Sequence, residues 1–282
     1  VLELVKAALL GLVEGITEFL PISSTGHLIV SSKLIGAEDT GGTFELVIQL
    51  GAVLAVAWFY RRDLSARIRA LRSGGRFWLV LFLAVLPALI IGFLFGDWIK
   101  SVLFSPATVG AALVVGGVVL WLVERTPRRE TSPELDIDRT GVVDLDATGP
   151  GGLDSIRPGQ AFKIGLVQLA SFVPGVSRSG ATIVGGLVTG LDRETATAFS
   201  FYLALPTLGA ATVFDLVRNL DEIATGGDTG RYLVGIGIAF LTALASIGWL
   251  LRYVSSHDFR PFAVYRIVVG AIILGLATTG VL

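Results

Sequence analysis

The sequence predicts an all-α integral membrane protein, six transmembrane helices plus two broken re-entrant helical hairpins, arranged as an inverted repeat. Three observations carry that prediction. Of 282 residues, 53% are hydrophobic and only 16% charged, with a mean hydropathy of +0.76, too apolar for a soluble chain. The apolar residues form runs of about 20, the length that crosses a bilayer as a helix. The order of runs also repeats, because a stretch broken by proline and hydroxyl residues precedes three unbroken runs, twice.

The first stretch, residues 1–36, is interrupted by Pro21-Ile22-Ser23-Ser24-Thr25-Gly26. Proline lacks a backbone donor and disfavours helix at the preceding residue, so the stretch reads as two half-helices with an irregular loop between them. Such backbone survives at membrane depth only where protein or water satisfies it. Spans follow at 43–60, 77–95 and 106–124. Residues 125–160 are polar and acidic, with Pro127, Pro133, Pro150 and Pro158, and read as a cytoplasmic linker. The second broken stretch, 161–190, is interrupted at Pro174-Gly175-Val176-Ser177-Arg178-Ser179-Gly180, and spans follow at 195–217, 232–252 and 262–282.

Residues 1–124 and 161–282 therefore form two repeats within one membrane domain. Gly11-Leu-Val-Glu14 precedes the first break and Gly165-Leu-Val-Gln168 the second. Three crossings is an odd number, so the second half enters from the opposite side and the hairpin tips meet near the midplane. Arg61, Arg62, Arg67, Arg69, Arg72 and Arg76, opposed only by Asp63, place their loop in the cytoplasm by the positive-inside rule. Arg125, Arg128, Arg129, Arg252 and Arg260 then fall on that side by alternation, and Asp221, Glu222 and Asp228 outside. Both termini and the first hairpin open extracytoplasmically.

Composition excludes several chemistries. Without cysteine there is no disulfide, thiolate metal site or thiol nucleophile. A net charge of −1 gives no basic face for nucleic acid. Methionine is absent even from the first position, so the numbered chain is expected to be part of a longer translation product.

Ionisable groups at membrane depth cost roughly 2.5 to 3.5 kcal/mol each for Asp, Lys or Arg on insertion scales, so they are functional candidates by default. Glu14 and Glu18 are one helical turn apart and project from one face, close enough to share a cation or a proton. A purely structural role, pairing with a buried arginine, is also open to them. Ser23, Ser24, Thr25, Gly26 and His27 follow immediately, and His27, which alone would read as structural, stands here among three hydroxyls. The second break supplies the complementary charge. Arg178 lies between Ser177 and Ser179 at a helix entrance, with Gly175, Gly180 and Thr182 beside it. A guanidinium fork, close backbone approach and free helix N–H groups together suit phosphate or pyrophosphate. Glu45 and Gln49, also four apart, read equally as supporting ligands or interfacial polar groups. Tyr265 and Arg266 read as interface anchors, and His257, beside Asp258 and Arg260, as solvated.

Glu14-Gly-Ile-Thr-Glu18-Phe-Leu-Pro-Ile-Ser-Ser-Thr-Gly-His27 and Pro174-Gly-Val-Ser-Arg178-Ser-Gly-Ala-Thr182 closely resemble the two signatures of the undecaprenyl-diphosphate phosphatase family, bacitracin-resistance type. The resemblance continues through Thr43 to Gly51 and Leu203 to Pro206, and covers most of the chain outside the linker. It implies a plasma-membrane hydrolase that converts a long polyprenyl diphosphate to polyprenyl phosphate and inorganic phosphate, recycling the glycan carrier lipid of cell-wall peptidoglycan synthesis. The family also implies a divalent cation, Mg²⁺ or Ca²⁺. Its paired glutamates match Glu14 and Glu18, expected to hold that cation. Its serine and histidine match Ser24 and His27, and its diphosphate-binding arginine matches Arg178. Around them Ser23, Thr25, Gly26, Gly175, Ser177, Ser179, Gly180 and Thr182 are expected to bind the substrate.

Three nucleophiles fit these residues: Ser24 with His27 as base, His27 itself, and a water activated by the cation. Ser24 is preferred. Phosphatidic-acid phosphatases, echoed by Ser-Thr-Gly-His, need two histidines, and His257 lies far along the chain. A lipid transporter or flippase is the rival reading, since inverted repeats with broken helices also build transporters. The expected partners are the polyprenyl diphosphate and membrane lipids, with no nucleic acid, and a homodimer is an open possibility.

Overall fold

Helix α1 (Leu2–Thr17) ends where the chain turns toward Pro21, and α2 (Ser24–Leu34) restarts behind an N-cap at Ser23. In the computed structural model, which describes residues 2–37, 43–72, 75–126, 152–218 and 229–279, all regular secondary structure is helical. The apolar run at 43–60 forms α3 (Thr43–Phe59). The arginine-rich segment after it, read as a loop from sequence, is a helix, α4 (Arg61–Arg69), bent 65° from α3. Its i,i+4 pair of Asp63 and Arg67 at 2.8 Å accounts for part of that helicity.

Then come α5 (Arg76–Leu103), which outruns its predicted end at 95, and α6 (Pro106–Glu124). Ser105 caps α6 by accepting the Thr108 N–H at 3.1 Å, with Pro106 at its first position. Most of the linker, 127–151, and the predicted outer loop at 221–228 lie outside the described residues. The second half consists of α7 (Pro158–Gln168), α8 (Arg178–Val188), α9 (Arg193–Arg218), α10 (Thr229–Val254) and α11 (Arg260–Thr278).

Helices α5, α6, α9, α10 and α11 are long and apolar enough to cross a membrane, and the bent pair α3 and α4 makes a sixth if counted as one span. Between 28% and 35% of each span's apolar window is buried in protein. The remainder, including Phe93, Leu94, Val115, Phe214 and Leu241, is exposed along the helices. Apolar surface of that extent is what an integral membrane protein presents to lipid.

Packing joins the halves crosswise. Half-helix α1 lies on α10, α7 lies on α5, α6 on α11, and α3 on α9. Small residues allow these approaches. A Cβ at Gly11 would come 2.5 Å from the Gly235 carbonyl oxygen, and one at Gly15 would overlap Thr242 Oγ1 and the Ala239 carbonyl. Gly15→Ala is therefore expected to force α1 away from α10. Overpacking of this kind costs about 1 to 3 kcal/mol, readable as a lowered thermal-unfolding midpoint in detergent; an unchanged midpoint would contradict the close approach.

Candidate active site

Both hairpin breaks end in the same local device. Ser23 (φ 72°) and Ser177 (φ 71°) are the only non-glycine residues with positive φ among the described residues. Each caps the half-helix after it: Ser23 Oγ accepts from Gly26 N–H at 3.4 Å and Ser177 Oγ from Gly180 N–H at 3.1 Å. An L-residue in this region is strained, and such strain persists only where the surroundings enforce it. The turn leaves the first N–H groups of α2 and α8 without intrahelical partners, the geometry that receives anions.

Glu18, in the turn after α1, joins the two breaks. Its Oε2 accepts the Ser24 hydroxyl at 2.5 Å, and its Oε1 accepts from Arg178 Nη2 at 3.1 Å. The side chains of Glu18 and Arg178 are 5% and 9% exposed, so this is a buried ion pair whose charges are weakly screened by water. Arg178 is aimed by its second branch, since Nη1 donates to the Ser200 carbonyl at 2.8 Å. Thr182 donates to Ser200 Oγ at 2.7 Å and so steadies the same α9 turn. Among the described residues, Arg178 Nε is buried with no hydrogen-bond partner, a donor left for an anion. Ser179 ties the second break to the first by donating to the Leu20 carbonyl at 2.9 Å, and its Oγ lies 3.0 Å from Ser177 Oγ. Gly175, at φ 96°, passes α6 so closely that a Cβ would come 2.5 Å from the Val109 carbonyl.

Glu14 is 1% exposed, one turn before Glu18, whose N–H donates to the Glu14 carbonyl at 2.9 Å. Its Oε1 is buried without a partner. Among the described residues no three His, Asp or Glu side chains gather as a ready-made metal site. An orphaned carboxylate oxygen beside a second carboxylate, both hard oxygen donors, nonetheless fits a hard divalent cation. Thr25 and Gly26 lie in the first turn of α2, Thr25 half-buried and Gly26 buried.

His27 does not hydrogen-bond to Ser24. Its Nδ1 donates to the Ser23 carbonyl at 2.7 Å, so Nε2 is the free lone pair, and it accepts the Tyr265 hydroxyl at 2.7 Å. The carboxylate in contact with Ser24 is that of Glu18. Glu45 accepts from Ser32 at 3.4 Å, and Gln49 from Thr212 at 3.2 Å, so both connect helices and are not free interfacial groups. His257 is exposed and bonded to Ser256, as expected of a solvated side chain.

The reading of Arg266 as an interface anchor needs correction, whereas Tyr265 is exposed. Arg266 is 1% exposed and donates to the carbonyls of Pro21 at 3.0 Å, Gly175 at 3.2 Å and Val176 at 2.8 Å. It lies six residues into α11, about 9 Å along the axis at 1.5 Å per residue. A charge at that depth in an apolar run was the signal available in the sequence. Ser200, which aims Arg178, carried no such mark.

The chain is similar to a protein named undecaprenyl-diphosphatase from Cupriavidus metallidurans, 45% identical over 98% of this chain and 96% of the relative. Proteins of the same name from Methylobacillus flagellatus (47%, covering 97% of this chain and 98% of the relative) and Deinococcus radiodurans (46%, covering 96% and 94%) are similar to it as well. The family model described as bacitracin resistance protein BacA matches residues 7–272, a stretch that contains both hairpin breaks and every residue of the Glu18, Ser24 and Arg178 cluster, and the chain belongs to that family.

Proposed function

We propose that this chain hydrolyses undecaprenyl diphosphate to undecaprenyl phosphate and inorganic phosphate, and thereby returns the glycan carrier lipid to cell-wall synthesis. The observation that carries the reading is the contact of Glu18 with Ser24 on one hairpin and Arg178 on the other. A carboxylate, a hydroxyl and a guanidinium within hydrogen-bond reach at two apposed helix N-termini suit phosphoryl transfer. Relatives at 45 to 47% identity that carry the name undecaprenyl-diphosphatase support the substrate. Transport without hydrolysis has no such support.

Ser24 is the nucleophile. Its proton passes to Glu18 Oε2 as its oxygen attacks the terminal phosphorus; the bridging P–O bond breaks and polyprenyl phosphate leaves with the bond's electrons. Water then cleaves the phosphoserine: its oxygen bonds to phosphorus, the Ser24 oxygen leaves and takes back the proton held on Glu18, and the proton lost by water departs with inorganic phosphate or to solvent, which restores both the Ser24 hydroxyl and the Glu18 carboxylate. Arg178 Nε and Nη2 and the free N–H groups of α2 and α8 hold the charge that collects on the phosphoryl oxygens. Ser23, Thr25, Gly26, Gly175, Ser177, Ser179, Gly180 and Thr182 shape that cradle. Glu14 and Glu18 would hold a divalent cation, Mg²⁺ or Ca²⁺, which would supply positive charge against the diphosphate. His27, with both ring nitrogens engaged, orients the start of α2 and accepts a proton only after Tyr265 yields Nε2.

The two halves form an inverted repeat of six spans with two re-entrant hairpins. The twin caps at Ser23 and Ser177, and the equivalence of α1 on α10 with α7 on α5, support this. The protein lies in the plasma membrane with α4 cytoplasmic and the active site opening outward. Contacts support a single charged side: Arg67 meets Asp154 at 2.8 Å, Arg193 meets Glu124 at 2.8 Å, and Arg260 lies over Trp121.

Purified protein in detergent is expected to release phosphate from undecaprenyl diphosphate, to lose that release with a chelator, and to regain it with Mg²⁺ or Ca²⁺. No release from folded protein across several metals would sink the reading. Ser24→Ala is expected to lower turnover at least about a hundredfold, the lower range for a positioned proton-transfer pair. Near-full turnover of Ser24→Ala would remove it as nucleophile.

A further inference from the structure

The start of α11 contributes a charge that the proposed reaction does not use. Arg266 is the largest of the side chains buried below 2% exposure. Among the described residues no carboxylate pairs with it, and its hydrogen bonds all go to backbone carbonyls: Pro21 in the first break, Gly175 and Val176 in the second, and, at 3.5 Å, Ala112 and Leu113 of α6. A buried guanidinium without an anion is costly unless its five N–H donors are satisfied. Here the satisfaction comes from the two loops that carry the site. Pro21 lies two residues before Ser23, and Gly175 and Val176 lie two and one before Ser177. Each strained serine is thus preceded by a carbonyl turned toward Arg266.

The neighbouring glycines fit this role. A Cβ on Gly116 of α6 would overlap Arg266 Nη2 and come 2.8 Å from Cζ, and one on Gly180 would come 2.9 Å from Nη1. The guanidinium therefore occupies space that two glycines keep open.

We propose that Arg266 is a positioning residue that clamps both hairpin breaks from behind, holding Ser24 and Arg178 in register across Glu18. The inference rests on the hydrolase reading for its kinetic arm and on the fold alone for its exchange arm. The clamp transmits geometry and touches no substrate. Lysine cannot replace it, since one ammonium lacks the planar fork that reaches carbonyls on two loops.

The test uses full-length wild type, Arg266→Lys, Arg266→Met, Gly116→Ala and the Gly116→Ala/Arg266→Met pair, each assayed for phosphate release from undecaprenyl diphosphate and for hydrogen–deuterium exchange. Misplacement of reacting groups by about 1 Å costs about a hundredfold, so kcat is expected to fall about that far in both Arg266 variants, with KM within about threefold. Segments 18–27 and 173–181 are expected to exchange together at least about tenfold faster while α10 keeps its protection. Gly116→Ala, which leaves Arg266 in the chain, is expected to act in the same direction and to add nothing in the Arg266→Met background, the non-additivity of a shared route. Wild-type kcat in Arg266→Lys, loosening of only one hairpin, or additive Gly116 and Arg266 effects would each overturn the clamp. If Arg266→Met does not fold, Gly116→Ala and Arg266→Lys still decide. Absence of phosphate release from wild type would count against the hydrolase reading, and the exchange result would still judge the clamp.

Discussion

Glu18→Gln is expected to lower turnover about a thousandfold while leaving a folded protein. Glutamine preserves the shape of Glu18, but it cannot take the Ser24 proton and carries no charge for Arg178. Loss of a positioned base removes about 10² to 10⁴ in rate, and Glu18 also contacts Arg178, the group proposed to bind the phosphate. The same substitution leaves Arg178, with a side chain 9% exposed, facing a neutral amide. Breaking a buried pair by removing one partner costs about 3 to 5 kcal/mol, so the thermal midpoint should fall as well. Phosphate release and thermal unfolding measured on one preparation separate the two effects. Turnover within tenfold of wild type would remove Glu18 from the centre of the site.

Arg178→Ala is expected to be at least as severe, about 10³ to 10⁴ in kcat/KM, the range over which an arginine stabilises transferring phosphoryl charge. It removes the Nε donor that has no protein partner and leaves Glu18 charged and buried without its cation. Arg178→Lys is the sharper comparison. The guanidinium reaches Glu18 with one branch and the Ser200 carbonyl with the other, 3.1 and 2.8 Å away. A lysine ammonium can meet one of these and present less to a phosphate. Lysine is expected to recover no more than about tenfold of the loss; recovery to wild-type rate would mean that charge alone, without the fork, serves the site.

Much of the architecture was legible because its signals are local. Runs of apolar residues at 77–95, 106–124, 195–217 and 232–252 became helices, as did the described part of 262–282 through Thr278, since backbone groups in lipid have no other partner than their own segment. Pro21 and Pro174 marked the breaks because the missing donor acts within a few residues of the proline. The segment at 61–69 was misread as a loop, since its arginines carry little apolar signal, although the Asp63 and Arg67 pair supports its helicity.

The site divides along the same line. The residue types that could bind phosphate were visible in Glu14, Glu18, Ser24 and Arg178, because charged groups stand out in an apolar stretch and because the two motifs resemble a known family. Their pairing was not visible. His27 follows Ser24 by three residues and reads as its base, yet the helix turns it toward Ser23 and Tyr265, and the nearest carboxylate to the hydroxyl is Glu18. Arg266 was placed at the membrane surface because hydropathy measures distance along a helix, whereas its burial depends on which loops pack over it.

By itself the sequence determined that the chain is helical, lies in a membrane, breaks twice, and carries an acid, a hydroxyl and a guanidinium at those breaks, since each follows from composition or from interactions spanning a few residues. Only the tertiary structure decided that Glu18 links Ser24 to Arg178 and that Arg266 holds both breaks. Those contacts join residues 160, 245 and 91 positions apart, and no local propensity reaches that far: they exist because the fold brings the two breaks and the first turns of α11 together.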